Sequence, residues 1–207
     1  MLDSSSTVFV VDDDSSIRES LESLIKCAGW RPEICASAPE FLARPDVAGA
    51  TCLVLDMDLP GIKGLDVQGL VADRKHLPVI FITGHGDVAS TVRAMKAGAI
   101  EFLTKPFDVQ VLLDAIRRGL ERSQAILGVE QKLQSLRALL RTLTPRERDV
   151  MSLITTGLLN KQVAGMLGIS EITVKAHRGK AMRKMKARSF ADLVRMAGDL
   201  ALVGSVR

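Results

Sequence analysis

Continuous apolar runs recur along the first part of the chain, with polar segments between them. Runs such as residues 8–11, 52–55 and 79–82 are apolar at every position, which is typical of strands buried on both faces of a parallel sheet. The alternation of such strands with helical segments predicts an α/β domain with a parallel sheet of five strands. We expect the strands near residues 7–11, 31–35, 51–55, 78–83 and 101–104.

The last part of the chain has the pattern of several short helices. Thr144 and Glu147 form a capping-box sequence, which begins a helix. Gly168 marks a turn between two later helices. Two short helices joined by a glycine-containing turn are the helix-turn-helix pattern, whose second helix enters the major groove of DNA. We expect an all-α domain with helices at Pro145 to about Thr156, Lys161 to Leu167, Glu171 to about Lys186, and about Phe190 to Leu200.

A segment between these two parts repeats apolar residues at alternating spacings of three and four. Such spacing is that of a coiled-coil seam, but it covers only about two and a half heptads. Two interpretations stay open, a coiled coil and a linker helix that packs on its own domains. The segment has no proline and little glycine or serine, so we expect a helical linker, continuous from about Asp108. The repeating residues are Ile126, Val129, Leu133, Leu136, Leu140 and Leu143.

Polar side chains stand where the predicted strands end: Asp12 and Asp13, Asp56, Thr83 and Lys105. Because the carboxyl ends of parallel strands meet at one edge of the sheet, the three acids should share a crevice. Two like charges ~4 Å apart repel by roughly 4 kcal/mol at an effective dielectric constant near 20, which favours a cation among them. Oxygen ligands indicate Mg²⁺, with Mn²⁺ as a second candidate. Each acid taken alone could instead form a turn or cap a helix.

Charge is distributed unevenly along the chain. Residues 1–122 contain 13 Lys and Arg against 18 Asp and Glu, a net charge of −5, whereas residues 123–207 contain 15 against 6, a net charge of +9. A charged stripe on one helix is ordinarily a solvated face. A basic region that also contains a helix-turn-helix pattern indicates binding to nucleic acid.

The strand-end residues, in this order and at these spacings, resemble the receiver domain of two-component response regulators over nearly all of roughly the first 120 residues; the motif is Asp12-Asp13, Asp56, Thr83 and Lys105-Pro106. The resemblance implies a flavodoxin-like α/β fold. It also implies that Asp56 accepts a phosphoryl group from a sensor histidine kinase. Phosphoryl transfer needs a nucleophile, a metal that bridges oxygens, and cations for the spread charge, and the motif supplies groups for each.

The same resemblance assigns roles to the neighbouring residues. It implies a metal site made by the carboxylates of Asp12, Asp13 and Asp56 and the backbone carbonyl of Asp58. It implies that Thr83 and Lys105 bind phosphoryl oxygens, and that Phe102 turns inward when Thr83 moves. The face formed by helix 88–97 and strand 101–104 would then dimerise, with Val88, Val92 and Met95 either at this face or in the core.

The second part resembles the LuxR-type DNA-binding domain in segments 160–164, NKQVA, and 170–178, SEITVKAHR. Together with the receiver, the chain is similar to regulators of the NarL/FixJ family, and segments 84–88 and 95–99 resemble FixJ-like activators. The resemblance implies base contacts by Lys175, Ala176, Arg178 and Gly179, and phosphate contacts by Asn160, Lys161, Thr173 and Lys180. It also implies that the last helix mediates dimerisation on DNA.

We therefore expect a receiver at 1–122, a helical linker at 123–141 and a LuxR-type helix-turn-helix domain at 142–207. The expected function is that of a transcription factor, not an enzyme. Phosphorylation of Asp56 would cause homodimerisation, binding to double-stranded promoter DNA and recruitment of RNA polymerase, and activation is favoured over repression.

Two alternatives remain. One is a DNA-binding protein whose receiver acts independently of phosphorylation. The other is a haloacid-dehalogenase-type phosphatase that uses Asp56 and Asp58. The phosphatase is disfavoured because its Asp-x-Asp pair follows the first strand, whereas here the pair follows the third strand and Asp12-Asp13 has no role in that scheme.

The three cysteines, Cys27, Cys35 and Cys52, are odd in number and lack metal-ligand spacing. We expect reduced thiols in the core of a cytoplasmic protein. Residues 1–6 lack the basic and apolar regions of a secretion signal, and no apolar run approaches the ~20 residues that cross a bilayer. We therefore expect no contact with a membrane.

Overall fold

The computed structural model of the protein describes residues 6–84 and 86–202, without the side chains of residues 201 and 202. The chain divides into two compact units, Met1–Gly128 and Val129–Arg207. The expectation that no secretion signal is present concerns mainly residues 1–5, which lie outside the described residues. His85, in the segment 84–88 that resembles FixJ-like activators, also lies outside them.

Within the described part of the first unit, five strands form one parallel sheet in the order β2-β1-β3-β4-β5. The predicted five-stranded parallel sheet is confirmed. Every residue of β1, β3 and β4 is buried, which explains the continuous apolar runs 8–11, 52–55 and 79–82 within them. The strands are β1 (Thr7–Val11), β2 (Arg31–Cys35), β3 (Thr51–Asp56), β4 (Val79–Thr83) and β5 (Glu101–Thr104).

Helices cover both faces of this sheet. Successive strand residues point to opposite faces, so Phe9 and Val11 pack in the core with α2, α3 and α4, whereas Val8 and Val10 pack in the core with α1 and α5. The bounds are α1 (Ser15–Cys27), α2 (Ala38–Leu42), α3 (Gly64–Leu70), α4 (Val88–Lys96) and α5 (Val109–Arg141). The boundary between the two units falls within α5, and the helix expected from about Asp108 through the linker is present.

The second unit contains α6 (Pro145–Ile154), α7 (Asn160–Leu167), α8 (Glu171–Lys184) and α9 (Phe190–Leu202). The predicted helix-turn-helix is formed by α7 and α8. Gly168 ends α7 with a φ angle of 64°, a left-handed conformation that favours glycine. Val174, Ala181 and Met185 are fully buried on one side of α8, as the spacing of its apolar residues predicts.

The structure corrects the expectation for one of the three cysteines. Cys35 and Cys52 are buried, but Cys27 is exposed, so the prediction that all three lie in the core was wrong for Cys27. Cys27 is the last residue of α1, whose buried positions are Leu21 and Ile25.

Val88, Val92 and Met95 of α4 are all exposed, so they do not belong to the core. Among the described residues, no helix combines the length and the apolar character required to cross a membrane.

Candidate functional site

Three carboxylates meet at the carboxyl edge of the five-stranded sheet. Val11 of β1 pairs with Leu55 of β3, so the residues that follow them, Asp12 and Asp56, leave neighbouring strands side by side. One oxygen from each of Asp12, Asp13 and Asp56 lies within 4.8 Å of the others. Asp12 is fully buried and Asp56 is 5% exposed, whereas Asp13 faces solvent. The acids that sequence spacing placed in one crevice therefore lie together.

Lys105 joins two of these acids. Its Nζ atom donates to Asp12 Oδ2 at 2.8 Å and to Asp56 Oδ2 at 2.6 Å. Burial raises the pKa of Asp12, and the hydrogen bond from Lys105 offsets this effect only in part. For Lys105, burial lowers the pKa, but the contacts with Asp12 and Asp56 outweigh burial and the net direction is upward. One ammonium group thus stands against two buried carboxylates and leaves excess negative charge in the crevice.

Backbone groups hold the remaining oxygens of these acids in place. The amide of Asp14 donates to Asp12 Oδ1, and the amide of Asp58 donates to Asp56 Oδ1, each at 2.9 Å. This crevice offers carboxylate oxygens as metal ligands and carries excess negative charge. Both properties suit a hard divalent cation.

Gly64 is a site residue that the sequence reasoning missed. A Cβ atom there would lie 2.8 Å from the backbone oxygen of Asp56 and 3.0 Å from the Phe81 ring. The start of α3 can therefore approach the backbone of Asp56 this closely only with glycine at this position. No periodicity in the sequence marks a close approach of this kind, and only the glycine itself could have signalled it.

Thr83 lies at the same edge but contacts a different acid. Its hydroxyl donates to Asp58 Oδ2 at 3.0 Å, and its backbone oxygen accepts from the Lys105 amide at 2.7 Å. The structure therefore places Thr83 beside the Asp58 carboxylate, whereas the sequence reasoning considered only the Asp58 carbonyl. Phe102 is half-buried, with its ring centroid 6.4 Å from that of Phe81.

The second candidate site is the face of α8 that lies opposite its buried residues. Lys175, Ala176 and Lys180 are exposed there, and a Cβ atom added to Gly179 would meet no atom within 4 Å. This face is open to a large ligand along its length. A positively charged, exposed face on the second helix of a helix-turn-helix is suited to the major groove of DNA.

The other predicted DNA contacts are placed in different ways. The guanidinium carbon of Arg178 lies 4.3 Å from the centroid of the Phe190 ring, so Arg178 packs against α9 at the flank of this face. Thr173 bonds the Ser170 hydroxyl at 2.8 Å. Asn160 and Lys161 begin α7, where Lys161 is exposed. The structure therefore brings Lys175, Ala176, Gly179 and Lys180 onto one face and sets Arg178 apart.

A partly buried ion pair joins α8 to α6. Lys184 Nζ donates to Glu147 Oε2 at 2.5 Å, and the same carboxylate oxygen accepts from the Thr144 amide at 2.9 Å. The hydrogen bond from Lys184, with that from Thr144, lowers the pKa of Glu147 to about 2. The capping box was predicted, but its second contact, across the unit to Lys184, was not.

Comparison with known proteins identifies both domains of the chain. Residues 8–117 match the response regulator receiver domain, and residues 141–197 match the bacterial regulatory proteins of the luxR family. The chain belongs to the response regulators with a LuxR-type DNA-binding domain. The predicted family and fold are confirmed, and the expected class of protein, a regulator with a receiver and a DNA-binding domain, is confirmed with them.

Similar proteins span nearly all of this response regulator. Nodulation protein W of Bradyrhizobium diazoefficiens is 51% identical over 94% of this chain and 86% of its own length. The transcriptional regulatory protein FixJ of Rhizobium meliloti is 43% identical over 92% of this chain and 94% of its own. The solved structure of the response regulator StyR is 47% identical, covers 94% of this chain and 98% of its own, and has a TM-score of 0.84. The family with a receiver and a LuxR-type domain consists of DNA-binding regulators of transcription.

Proposed function

We propose that this response regulator is a phosphorylation-switched transcription factor in which Asp56 is the phosphoacceptor. The observation that carries the proposal is the position of the Asp56 carboxylate, which is nearly buried at the edge of the sheet and bonded by Lys105 at 2.6 Å. Its partner in phosphoryl transfer would be a sensor histidine kinase.

The acids fit a divalent cation, for which we propose Mg²⁺, with Mn²⁺ as a substitute. The carboxylates of Asp12, Asp13 and Asp56 and the backbone carbonyl of Asp58 would hold it. When bound, it supplies charge neutralisation for the oxygens of the transferring phosphoryl group.

The protein's own groups account for the response to phosphorylation. A phosphoryl group on Asp56 adds charge and strong acceptor oxygens. Lys105, which now donates to Asp12 and Asp56, is within reach of those oxygens. Thr83 would exchange its hydrogen bond with Asp58 for one with the phosphoryl group, which moves the end of β4. Phe102, the half-buried aromatic residue on β5, would turn inward as Thr83 moves.

The exposed apolar residues of α4 support dimerisation of the phosphorylated receiver. Val88 is 81% exposed, and Val92 and Met95 are each more than 40% exposed. We propose that α4 and β5 form the interface of a homodimer, because these side chains would leave water when two copies meet. The homodimer would place two DNA-binding domains on two half-sites of a promoter.

For double-stranded promoter DNA, we propose base contacts by Lys175, Ala176 and Gly179. Arg178 would add a base contact only by leaving the Phe190 ring, so its share is smaller. Phosphate contacts would come from Asn160, Lys161, Thr173 and Lys180. The proposal extends to recruitment of RNA polymerase, activation of transcription and action in the cytoplasm, where promoter DNA lies. The similarity to FixJ, whose name describes a transcriptional regulatory protein, supports control of transcription.

The test uses the full chain and its Asp56→Asn variant. Each is incubated with Mg²⁺ and acetyl phosphate or beryllofluoride, and the mass, oligomeric state and binding to a pool of promoter DNA are measured. We expect the native chain to gain one phosphoryl group from acetyl phosphate, to dimerise with either reagent and to bind DNA more tightly. The Asp56→Asn variant should remain folded and show none of these changes.

A matched control is Asp66→Asn, which alters an exposed acid of α3 and should behave as the native chain. Phosphate-dependent DNA binding by the Asp56→Asn variant would show that Asp56 is not the acceptor. Unchanged DNA binding by the native chain would indicate a receiver that acts independently of phosphorylation. Rapid release of phosphate without DNA binding would indicate a phosphatase.

A further inference from the structure

The basic face of α8 contains an apolar side chain that nothing covers. Ile172, the second residue of the helix, is 80% exposed. Single exposed apolar residues are common on protein surfaces and have no meaning by themselves. The position of Ile172 on the helix is what distinguishes it.

Ile172 lies on the same helical face as the proposed base contacts. Residues 172, 176 and 179 are spaced at i, i+4 and i+7, which places them in one row along the helix. The row lies opposite the buried residues Val174 and Ala181. Ile172 is therefore the N-terminal member of the row that contains Ala176 and Gly179.

The N-terminal residues of a recognition helix are the ones that contact base edges. In α8 these positions carry an apolar pair, Ile172 and Ala176, one helical turn apart and both exposed. Lys175 and Lys180, on either side of the row, supply positive charge for the duplex. When α8 enters a major groove, the pair would lie between two cationic side chains and face the bases.

The chemistry of Ile172 determines which base it can recognise. It has no hydrogen-bond donor or acceptor in its side chain, so it cannot pair with the polar edges of guanine, cytosine or adenine. The major groove presents one methyl group, at C5 of thymine, and apolar side chains contact it. Burial of the methyl group against Ile172 removes apolar surface of both partners from water.

We propose that Ile172 is a specificity-determining residue that contacts a thymine methyl group in the major groove of the target site, next to Ala176. The inference rests on the proposed binding of this chain to promoter DNA. It adds a residue and a base preference to that proposal.

The experiment removes the methyl group from the DNA and the side chain from the protein, separately and together. The beryllofluoride-activated full chain first selects sequences from a randomised duplex library. Binding is then measured to the selected duplex and to duplexes in which deoxyuridine replaces thymidine at one position at a time. At one position in each half-site, the native chain should bind the uracil duplex about fourfold more weakly, as expected for one buried methyl group.

In the Ile172→Ala variant the same replacement should change affinity less than about twofold, because the side chain that covers the methyl group is gone. Ile172→Val, which keeps branched methyl groups, should recover much of the uracil effect. The salt dependence of binding should be the same for all three proteins, because Ile172 contacts no phosphate. Met166→Ala is the matched control, since Met166 is a 64% exposed apolar residue of α7.

Two results would overturn the inference. One is that replacement of thymine by uracil has no effect at any position. The other is that the replacement has an equal effect on the native chain and on the Ile172→Ala variant. If sequence-selective binding is retained, either result rejects the proposed role of Ile172 and leaves the proposed function standing. A native chain that selects no sequence from the library would reject the proposed function and the inference together.

Discussion

Both units of the molecule hold a lysine against carboxylates at short distance, with opposite consequences. In the receiver, Lys105 lies 2.6–2.8 Å from two acids, Asp12 and Asp56. In the second unit, Lys184 lies 2.5 Å from one acid, Glu147. The pKa of Asp12 is raised, mainly by burial, whereas the pKa of Glu147 is lowered to about 2, mainly by the hydrogen bond from its lysine.

The difference between the two clusters is one of charge balance. Glu147 has one cation and also accepts from the Thr144 amide, so its charge is satisfied and the cluster anchors α6 to α8. The receiver cluster has one cation for two buried carboxylates, with Asp13 close by. An added cation stabilises a cluster with excess negative charge, whereas it does not stabilise a balanced cluster. The receiver cluster is therefore suited to bind a cation, and the Glu147 cluster is suited only to hold two helices together.

The largest effect should follow from Lys105→Ala. Two carboxylates would remain at the edge of the sheet without their cation, and the receiver should lose about 3 kcal/mol of its free energy of unfolding. The sequence contains one tryptophan and no tyrosine. Trp30 is 9% exposed in the receiver core, so its fluorescence during urea denaturation reports on the receiver.

The control for this variant is Lys26→Ala, which removes an exposed lysine from its pair with Glu22. Such surface pairs contribute less than about 1 kcal/mol. Added Mg²⁺ should stabilise the Lys105→Ala variant more than the native chain. Equal destabilisation by the two lysine substitutions would contradict the idea that Lys105 compensates buried charge.

An intermediate effect is expected for Glu147→Gln, which should change how the stability of the second unit depends on pH. A carboxyl with a lowered folded-state pKa stabilises the protein above its unfolded-state pKa, and this stabilisation is lost as the pH falls. For Glu147 the loss should occur between about pH 5 and about pH 2, given a pKa of about 2 against its ordinary 4.5.

Hydrogen exchange of amides in α6 and α8 measures this effect, because Trp30 lies in the other unit. At neutral pH, Glu147→Gln should exchange faster than the native chain. The difference between the two proteins should shrink as the pH falls below about 5 and should nearly vanish at about pH 2, where protonation of Glu147 removes the same charge. A gap between them that stays constant down to about pH 2 would mean that the ion pair does not account for the stabilisation.

The smallest effect, and one of opposite sign, is expected for Asp12→Asn. Removal of one like charge relieves roughly 1–4 kcal/mol of repulsion. The hydrogen bond from Lys105 to the asparagine amide is weaker than the bond to the carboxylate, which offsets about 1–3 kcal/mol of this stabilisation. The receiver should become more stable by about 1 kcal/mol in urea denaturation without Mg²⁺, and its stability should respond less to Mg²⁺. A clear loss of stability would show that Lys105 already balances both acids.

The fold of the receiver was predictable because its central strands are continuous apolar runs in the sequence. The runs around Val10, Val54 and Ile80 have every residue buried in the sheet, so burial and sequence coincide. The strand-end residues were predictable for a related reason. A carboxylate or a lysine that directly follows a buried strand must lie at the edge of the sheet, and parallel strands bring such edges together.

Contacts that depend on packing between distant elements were not predictable. The family resemblance implied a base contact by Arg178, but its guanidinium packs against the Phe190 ring of α9. The contact of Lys184 with Glu147 joins residues 37 positions apart, and the contact of Thr83 with Asp58 joins residues 25 apart. Such pairings follow from tertiary geometry, which spacing along one helix or strand does not encode.

The open surroundings of Gly179 have an evolutionary consequence. Alanine, serine, arginine and glutamate are each one nucleotide change away from some glycine codon. A Cβ atom at this position meets no atom of the described residues within 4 Å, so the first carbon of each of these side chains fits without a clash. Each would add a different chemical group to the row that begins with Ile172. A duplicated gene could therefore acquire a new set of promoters through one mutation that leaves the receiver sequence unchanged.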